Sequence, residues 1–119
     1  MLAAIKKGDS FQDKDYFNNH RCFVISDIGS ENRHLAVNIS SVYSDDGYDK
    51  ACVIKEFKPY IYKVSFVYYR YAMELDGNIE LDNRTEIISI PVKLLKQIQD
   101  GAKASKFFPR KFKKYFDLF

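Results

Sequence analysis

His20 and Arg21 stand just ahead of one apolar run, residues 22–25, and Ser40 and Ser41 close a second, residues 35–39. An arginine fork donates paired hydrogen bonds to a phosphate or carboxylate and offsets charge growing on its oxygens. A serine hydroxyl donates to the same oxygens, and an imidazole titrates near neutral pH, as a general base must. Antiparallel pairing of the two runs would hold these polar ends at fixed places on a rigid sheet. Side chains alternate along a strand, so Arg21 and Ser40 are expected to share one groove. By the same alternation His20 and Ser41 are expected to face elsewhere, unless position 20 lies in a loop. His34 falls at the other end of the pairing. Each reading has a plain alternative: surface or structural histidines, and an arginine solvated at a strand edge or paired with Asp27.

The elements that would position these groups are mostly strands. The chain has 119 residues, a length for one domain with a modest core. Hydrophobic residues make up 46% and aromatics 16%, the latter all Tyr and Phe, which suits strands. Strands are expected around Phe11, over 21–27, 35–40, 51–54, 65–72 and 86–90. Asp76-Gly77 predicts a tight hairpin between 71–75 and 79–81. Residues 12–19 predict an exposed loop, residues 44–49 a turn-rich one, and residues 1–7 are left undecided. The aspartates of 44–49 lack the spacing of a twelve-residue calcium loop and read as a solvated turn.

From Pro91 the period changes. Val92, Leu95, Ile98 and Ala102 recur at helical spacing, with Gly101 interrupting near the end. Pro109 opens a second helix whose apolar face is Phe112, Tyr115, Phe116 and Phe119. Arg110, Lys111, Lys113 and Lys114 fill its other face, where they either hold phosphate or are simply solvated. The expected fold is α+β, mainly β: a single domain, 1–119, with a small bent barrel core at 8–90 and a helical region at 91–119.

The remaining features narrow the class. The formal net charge of +3 does not by itself imply nucleic acid. Cys22 and Cys52 sit inside apolar runs and read as buried reduced thiols of a cytoplasmic protein, although one bridge between them stays open. The N-terminus lacks the apolar stretch of a signal peptide, and no run approaches the roughly 20 apolar residues of a membrane span. No metal-ligand spacing is present and no cofactor is expected. Tyr60, Tyr62, Tyr68, Tyr69 and Tyr71 could stack bases, but alternation should turn about half of them into the core.

The ordered set Gly8-Asp9, His20-Arg21-Cys22-Phe23-Val24-Ile25 and Val37-Asn38-Ile39-Ser40-Ser41 resembles the PemK/MazF-like toxins, which have an SH3-like barrel. Cys52-Val53-Ile54, Pro59-Tyr60-Ile61, Ser65-Phe66-Val67 and Pro109-Arg110-Lys111-Phe112-Lys113 look like a PemK-like subgroup with a basic C-terminal tail. Cys22 stands where the family has proline, and Ser40 where it has threonine. The resemblance implies a metal-independent endoribonuclease that binds and cleaves single-stranded RNA through the adjacent 2′-hydroxyl. Arg21 and Ser40 would then be catalytic, with His20 and Ser41 as auxiliaries and the cluster 110–114 attracting RNA. It also implies a homodimer and an antitoxin partner. A non-catalytic SH3-like barrel that binds a protein or nucleic acid is the alternative.

Overall fold

The computed structural model describes residues 1–44 and 47–119; Asp45 and Asp46 of the turn-rich stretch lie outside the described residues. In chain order the strands are β1 Leu2–Ala4, β2 Asp9–Phe11, β3 Cys22–Val24, β4 Arg33–Ser41, β5 Val53–Ile54, β6 Ser65–Val67, β7 Met73–Asp76, β8 Asn78–Glu80 and β9 Ile88–Ser89. An α-helix, α1 Val92–Ala104, and a 3-10 helix, Arg110–Leu118, follow.

β4 is the strand on which the others are assembled. One edge pairs antiparallel with β3 in the register Cys22↔Asn38, Phe23↔Val37, Val24↔Ala36, the hairpin-like pairing that the two apolar runs predict. The other edge is divided: β7 takes positions 33–36 and β6 takes positions 39–41. A strand that changes partner along one edge must bend, which is how small sheets turn corners. The sheet runs β5-β6-β4-β3-β2-β9, with β7 also on β4, and curls into a half-barrel that carries the two helices.

Both faces of the β3–β4 pair are covered. Phe23, Ile25, Leu35, Val37 and Ile39 join the larger core with Ile98, Ala102, Phe112 and Tyr115. Cys22, Val24 and Ala36 join the smaller one with Phe11, Leu75, Ile79 and Leu81. This double burial makes the two runs continuously apolar rather than alternating. Each fully buried Phe or Leu contributes roughly 1.5–3 kcal/mol of transfer free energy, so the pair is a rigid platform.

Several local readings change, among them the strand expected over 65–72, which ends at Val67 and gives way to a 3-10 turn at Tyr69–Tyr71. Asp76-Gly77 is a corner, not a hairpin turn: β7 pairs with β4, whereas β8 pairs with β1. A single residue separates the two strands, too few for a two-residue hairpin loop. A Cβ at Gly77 would lie 2.9 Å from Ile28 Cδ1, the tip of an exposed side chain that would have to move aside. The undecided N-terminus supplies β1. The 12–19 loop is not wholly exposed, because Asp13 is buried within it.

The C-terminal aromatic stripe winds as a 3-10 helix of nine residues, longer than such helices usually run. Three residues per turn put Phe112, Tyr115 and Leu118 on one face; the first two are buried and Leu118 packs at the core's margin. Leu118 O accepts a 2.8 Å bond from Asp27 N, fastening this helix to the far end of the β3 segment. No helix among the described residues is long and apolar enough to cross a membrane.

Candidate functional site

Arg21 immediately precedes β3, and its carbonyl accepts a 3.0 Å bond from Ile39 N, which continues the β3–β4 ladder by one step. Its Nη1 donates to Ser10 Oγ at 3.0 Å, and Ser10 Oγ donates in turn to Cys22 O at 2.8 Å. The guanidinium carbon lies 4.6 Å from the centre of the Tyr60 ring. Tyr60 is held in place by its hydroxyl, which donates to Glu86 Oε1 at 2.9 Å. Arg21 Nε is buried with no hydrogen-bond partner. Burial pulls the guanidinium below its usual range, although an arginine stays cationic throughout the physiological range.

The expected pair with Asp27 does not form. Asp27 Oδ2 accepts from Lys7 Nζ at 3.2 Å, and Arg21 makes no ion pair among the described residues. The arginine is therefore oriented by a hydroxyl and an aromatic face, and Glu86, held by the Tyr60 hydroxyl, acts on its charge through space without forming an ion pair.

Arg21 opens into a cavity of about 290 Å³ whose lining includes His20, Ser40, Ser41, Tyr60, Tyr62 and Lys63. Among the described residues no aspartate or glutamate lines it. All four polar residues at the ends of the two runs thus meet at one hollow, where strand alternation would have separated them in pairs. Position 20 escapes alternation because it precedes β3 and follows a turn in which Phe17, Asn18 and Asn19 take φ of 52°, 54° and 65°. Left-handed backbone costs roughly 1–2 kcal/mol per residue outside glycine, and the turn is braced by Gln12 Nε2, which donates to Asn19 O at 2.7 Å. Ser41 ends β4 opposite Ser65, at the rim where the sheet curls away.

The other expected residues fall elsewhere. His34 is buried, with Nδ1 2.8 Å from Ser26 O, and is structural. Arg110, Lys111, Lys113 and Lys114 are exposed on the 3-10 helix, which is tied to Asp27 and so sits at the opposite end of the β3 segment from Arg21. Lys111 and Lys114 lie 5.0 and 5.6 Å from the Phe112 and Tyr115 ring centres, and Lys114 is 3.9 Å from Glu74 Oε2. Of the tyrosine series only Tyr69 is fully buried, its hydroxyl donating to Ile98 O at 2.6 Å.

Sequence reasoning missed Ser10, Lys63 and the stacking role of Tyr60. Tyr60 and Lys63 reach Arg21 only through the bend at 55–59, and no local pattern encodes a cation–π contact across about 40 residues. Cys22 and Cys52 are both free and buried. Among the described residues, no three His, Cys, Asp or Glu side chains gather as a metal site.

Chemically the cavity suits an oxyanion. Arg21, Lys63, Ser40 and Ser41 line it with donor-bearing side chains, and the volume fits a phosphate with its sugar rather than a folded partner. No family model matches the chain, and neither a curated protein nor a solved structure matches it.

Proposed function

We propose that the chain is a PemK/MazF-like toxin that binds single-stranded RNA in the Arg21 cavity and cleaves it at the phosphate held there. The observation that carries this reading is a half-buried arginine that makes no ion pair among the described residues, in a hollow that Lys63 also lines. A curled antiparallel sheet with C-terminal helices is compatible with the SH3-like barrel of that family. In this reading the chain is cytoplasmic, forms a homodimer and is restrained by an antitoxin.

Cleavage would join the 2′-oxygen to phosphorus and break the bond to the 5′-oxygen. The 2′-hydroxyl proton passes to a base, and the leaving oxygen takes one up. Arg21 would offset charge on the non-bridging oxygens, while Ser40 would hold the phosphate or the 2′-hydroxyl. His20, on the cavity wall, is the candidate base with Ser41 beside it. The exposed cluster Arg110, Lys111, Lys113 and Lys114 would act by long-range attraction, since it does not reach the cavity.

One observation favours the second reading, a non-catalytic RNA-binding barrel of the same type. Among the described residues no hydrogen bond orients the His20 side chain, so nothing holds the candidate base toward the place of a bound 2′-hydroxyl. The deciding experiment compares cleavage of single-stranded RNA by the wild type and Arg21→Ala, with circular dichroism as the folding control. A loss on the order of a hundredfold supports the enzyme. Equal cleavage overturns the assignment of Arg21. RNA binding with no cleavage by either protein selects the second reading.

A further inference from the structure

A second hollow of about 260 Å³ is walled by Tyr48, Phe66, Tyr68 and Phe107, with Asp49 and Arg70 at its margin. The Tyr48 and Phe66 rings are 5.2 Å apart, and Phe66 and Tyr68 are 5.1 Å apart, so three rings form one continuous wall. Phe107 is 47% exposed, unusual for a phenylalanine; Arg70 lies over one of its faces.

The cleft is built rather than incidental. Phe107 N donates to Ser105 Oγ at 3.1 Å, and Ser105 Oγ donates to Asp49 Oδ2 at 2.6 Å. This relay ties the segment after α1 to the segment that carries Tyr48. It also occupies one Asp49 oxygen, and Ala51 N occupies the other at 3.0 Å.

An aromatic cleft with an acid at its edge would fit a quaternary ammonium group. Charge argues against that occupant here. Two ring faces are already taken by cations: Arg70 lies 4.9 Å from the Phe107 ring and Lys50 5.3 Å from the Tyr48 ring. Those cations would repel an ammonium guest and attract an aromatic guest carried on an anionic backbone.

Among the described residues, the cleft and the Arg21 cavity are also linked by shared lining residues. A shallow depression of about 240 Å³ lies between them, sharing Ser40 and Ser41 with the first and Gly47, Tyr48 and Phe66 with the second. We infer that the Tyr48–Phe66–Tyr68–Phe107 cleft is a base-stacking subsite for the same single RNA strand whose phosphate sits at Arg21. This rests on the RNA-binding reading above. Stacking on aromatic faces tolerates any base, so the subsite would lengthen the bound segment and not specify its sequence.

The test measures fluorescence anisotropy of a labelled adenosine hexanucleotide and of a dinucleotide with the full chain. Phe107→Ala and Tyr68→Leu are expected to weaken the hexanucleotide roughly tenfold and leave the dinucleotide unchanged. Phe107 is exposed enough that its loss should spare the fold, and Tyr68→Leu keeps apolar bulk while removing the ring. Should both variants hold the hexanucleotide as the wild type does while Arg21→Ala weakens it, the subsite is overturned and the Arg21 reading stands. No binding of either RNA by the wild type overturns both. Capture of a tetramethylammonium probe in place of RNA would reassign the cleft to a cation.

Discussion

The Tyr69 hydroxyl occupies the space that a Cβ on Gly101 would need, and a Cβ there would also come within 2.8 Å of Cys52 Cβ. Helix α1 therefore runs through its glycine to Ala104 because a buried tyrosine from the other side of the core reaches the helix backbone at Ile98 O. Gly101→Ala should gain nearly 1 kcal/mol in helix propensity and lose roughly 1–3 kcal/mol to overpacking, a net destabilisation read by urea unfolding. Tyr69→Phe alone forfeits one buried hydrogen bond, worth about 1 kcal/mol. Combined, the two should cost less than their sum, because removing the hydroxyl relieves the clash. Simple additivity would show that the contact does not limit this position.

Arg21 offers a contrast, since it is oriented without being strongly stabilised. Its buried Nε lacks a partner, and its charge makes no direct ion pair among the described residues. Arg21→Met gives up the stack on Tyr60 but keeps apolar bulk and removes the unpaired polar group, so its stability should stay within about 1 kcal/mol of the wild type. Arg21→Lys keeps the charge but loses the fork and the planar stack. It should therefore bind RNA nearly as poorly as Arg21→Ala in a gel shift. A large loss of stability in Arg21→Met would instead make this a structural residue.

The sequence was most legible where burial is symmetric. Residues 22–25 and 35–39 are apolar on both sides, so their strands and mutual pairing could be read directly, and the residues at their ends do meet in one cavity. It misled where partners are chosen by tertiary packing. Asp76-Gly77 carries a hairpin dipeptide, yet its flanking strands pair with β4 and β1. Over nine residues the aromatic spacing at the C-terminus fits a period of 3.0 nearly as well as 3.6, so the helix type was not encoded in the pattern. Asp13, in a run of charged residues, carried no sign of its burial because its hydrogen-bond donors include groups some 70 positions away.

The two thiols should be inert in the folded chain. Burial pushes Cys22 far above the usual thiol range and Cys52 up to about 11. Because the thiolate is the nucleophile, at pH 8 a thiol with that Cys52 value is ionised to roughly one part in a thousand. An alkylating reagent at pH 8 should therefore modify neither residue in native buffer and both in concentrated urea, as followed by mass spectrometry. Rapid native labelling of Cys52 would mean that the face covering it opens readily.

Asp13 links acid stability to the candidate site. Only 2% of it is exposed, and it accepts bonds from Thr85 Oγ1 at 2.6 Å, Asp82 N at 2.9 Å and Asp15 N at 3.0 Å. Burial alone would raise its pKa, but these three donors outweigh burial and hold it below the ordinary 3.8. A carboxyl depressed in the folded state adds stability above its unfolded pKa, and that stability is lost as pH falls through the folded value. Asp13→Asn turns donors toward donors and should cost about 1–3 kcal/mol at neutral pH. The gap between variant and wild type should then close as pH drops below 3.8, where the wild-type carboxyl also takes up its proton. Urea unfolding of both proteins across that range measures it, and a gap that stays constant with pH would refute the linkage. Because the loop that Asp13 anchors leads through the left-handed turn into His20 and Arg21, RNA binding by Asp13→Asn at neutral pH should weaken as well.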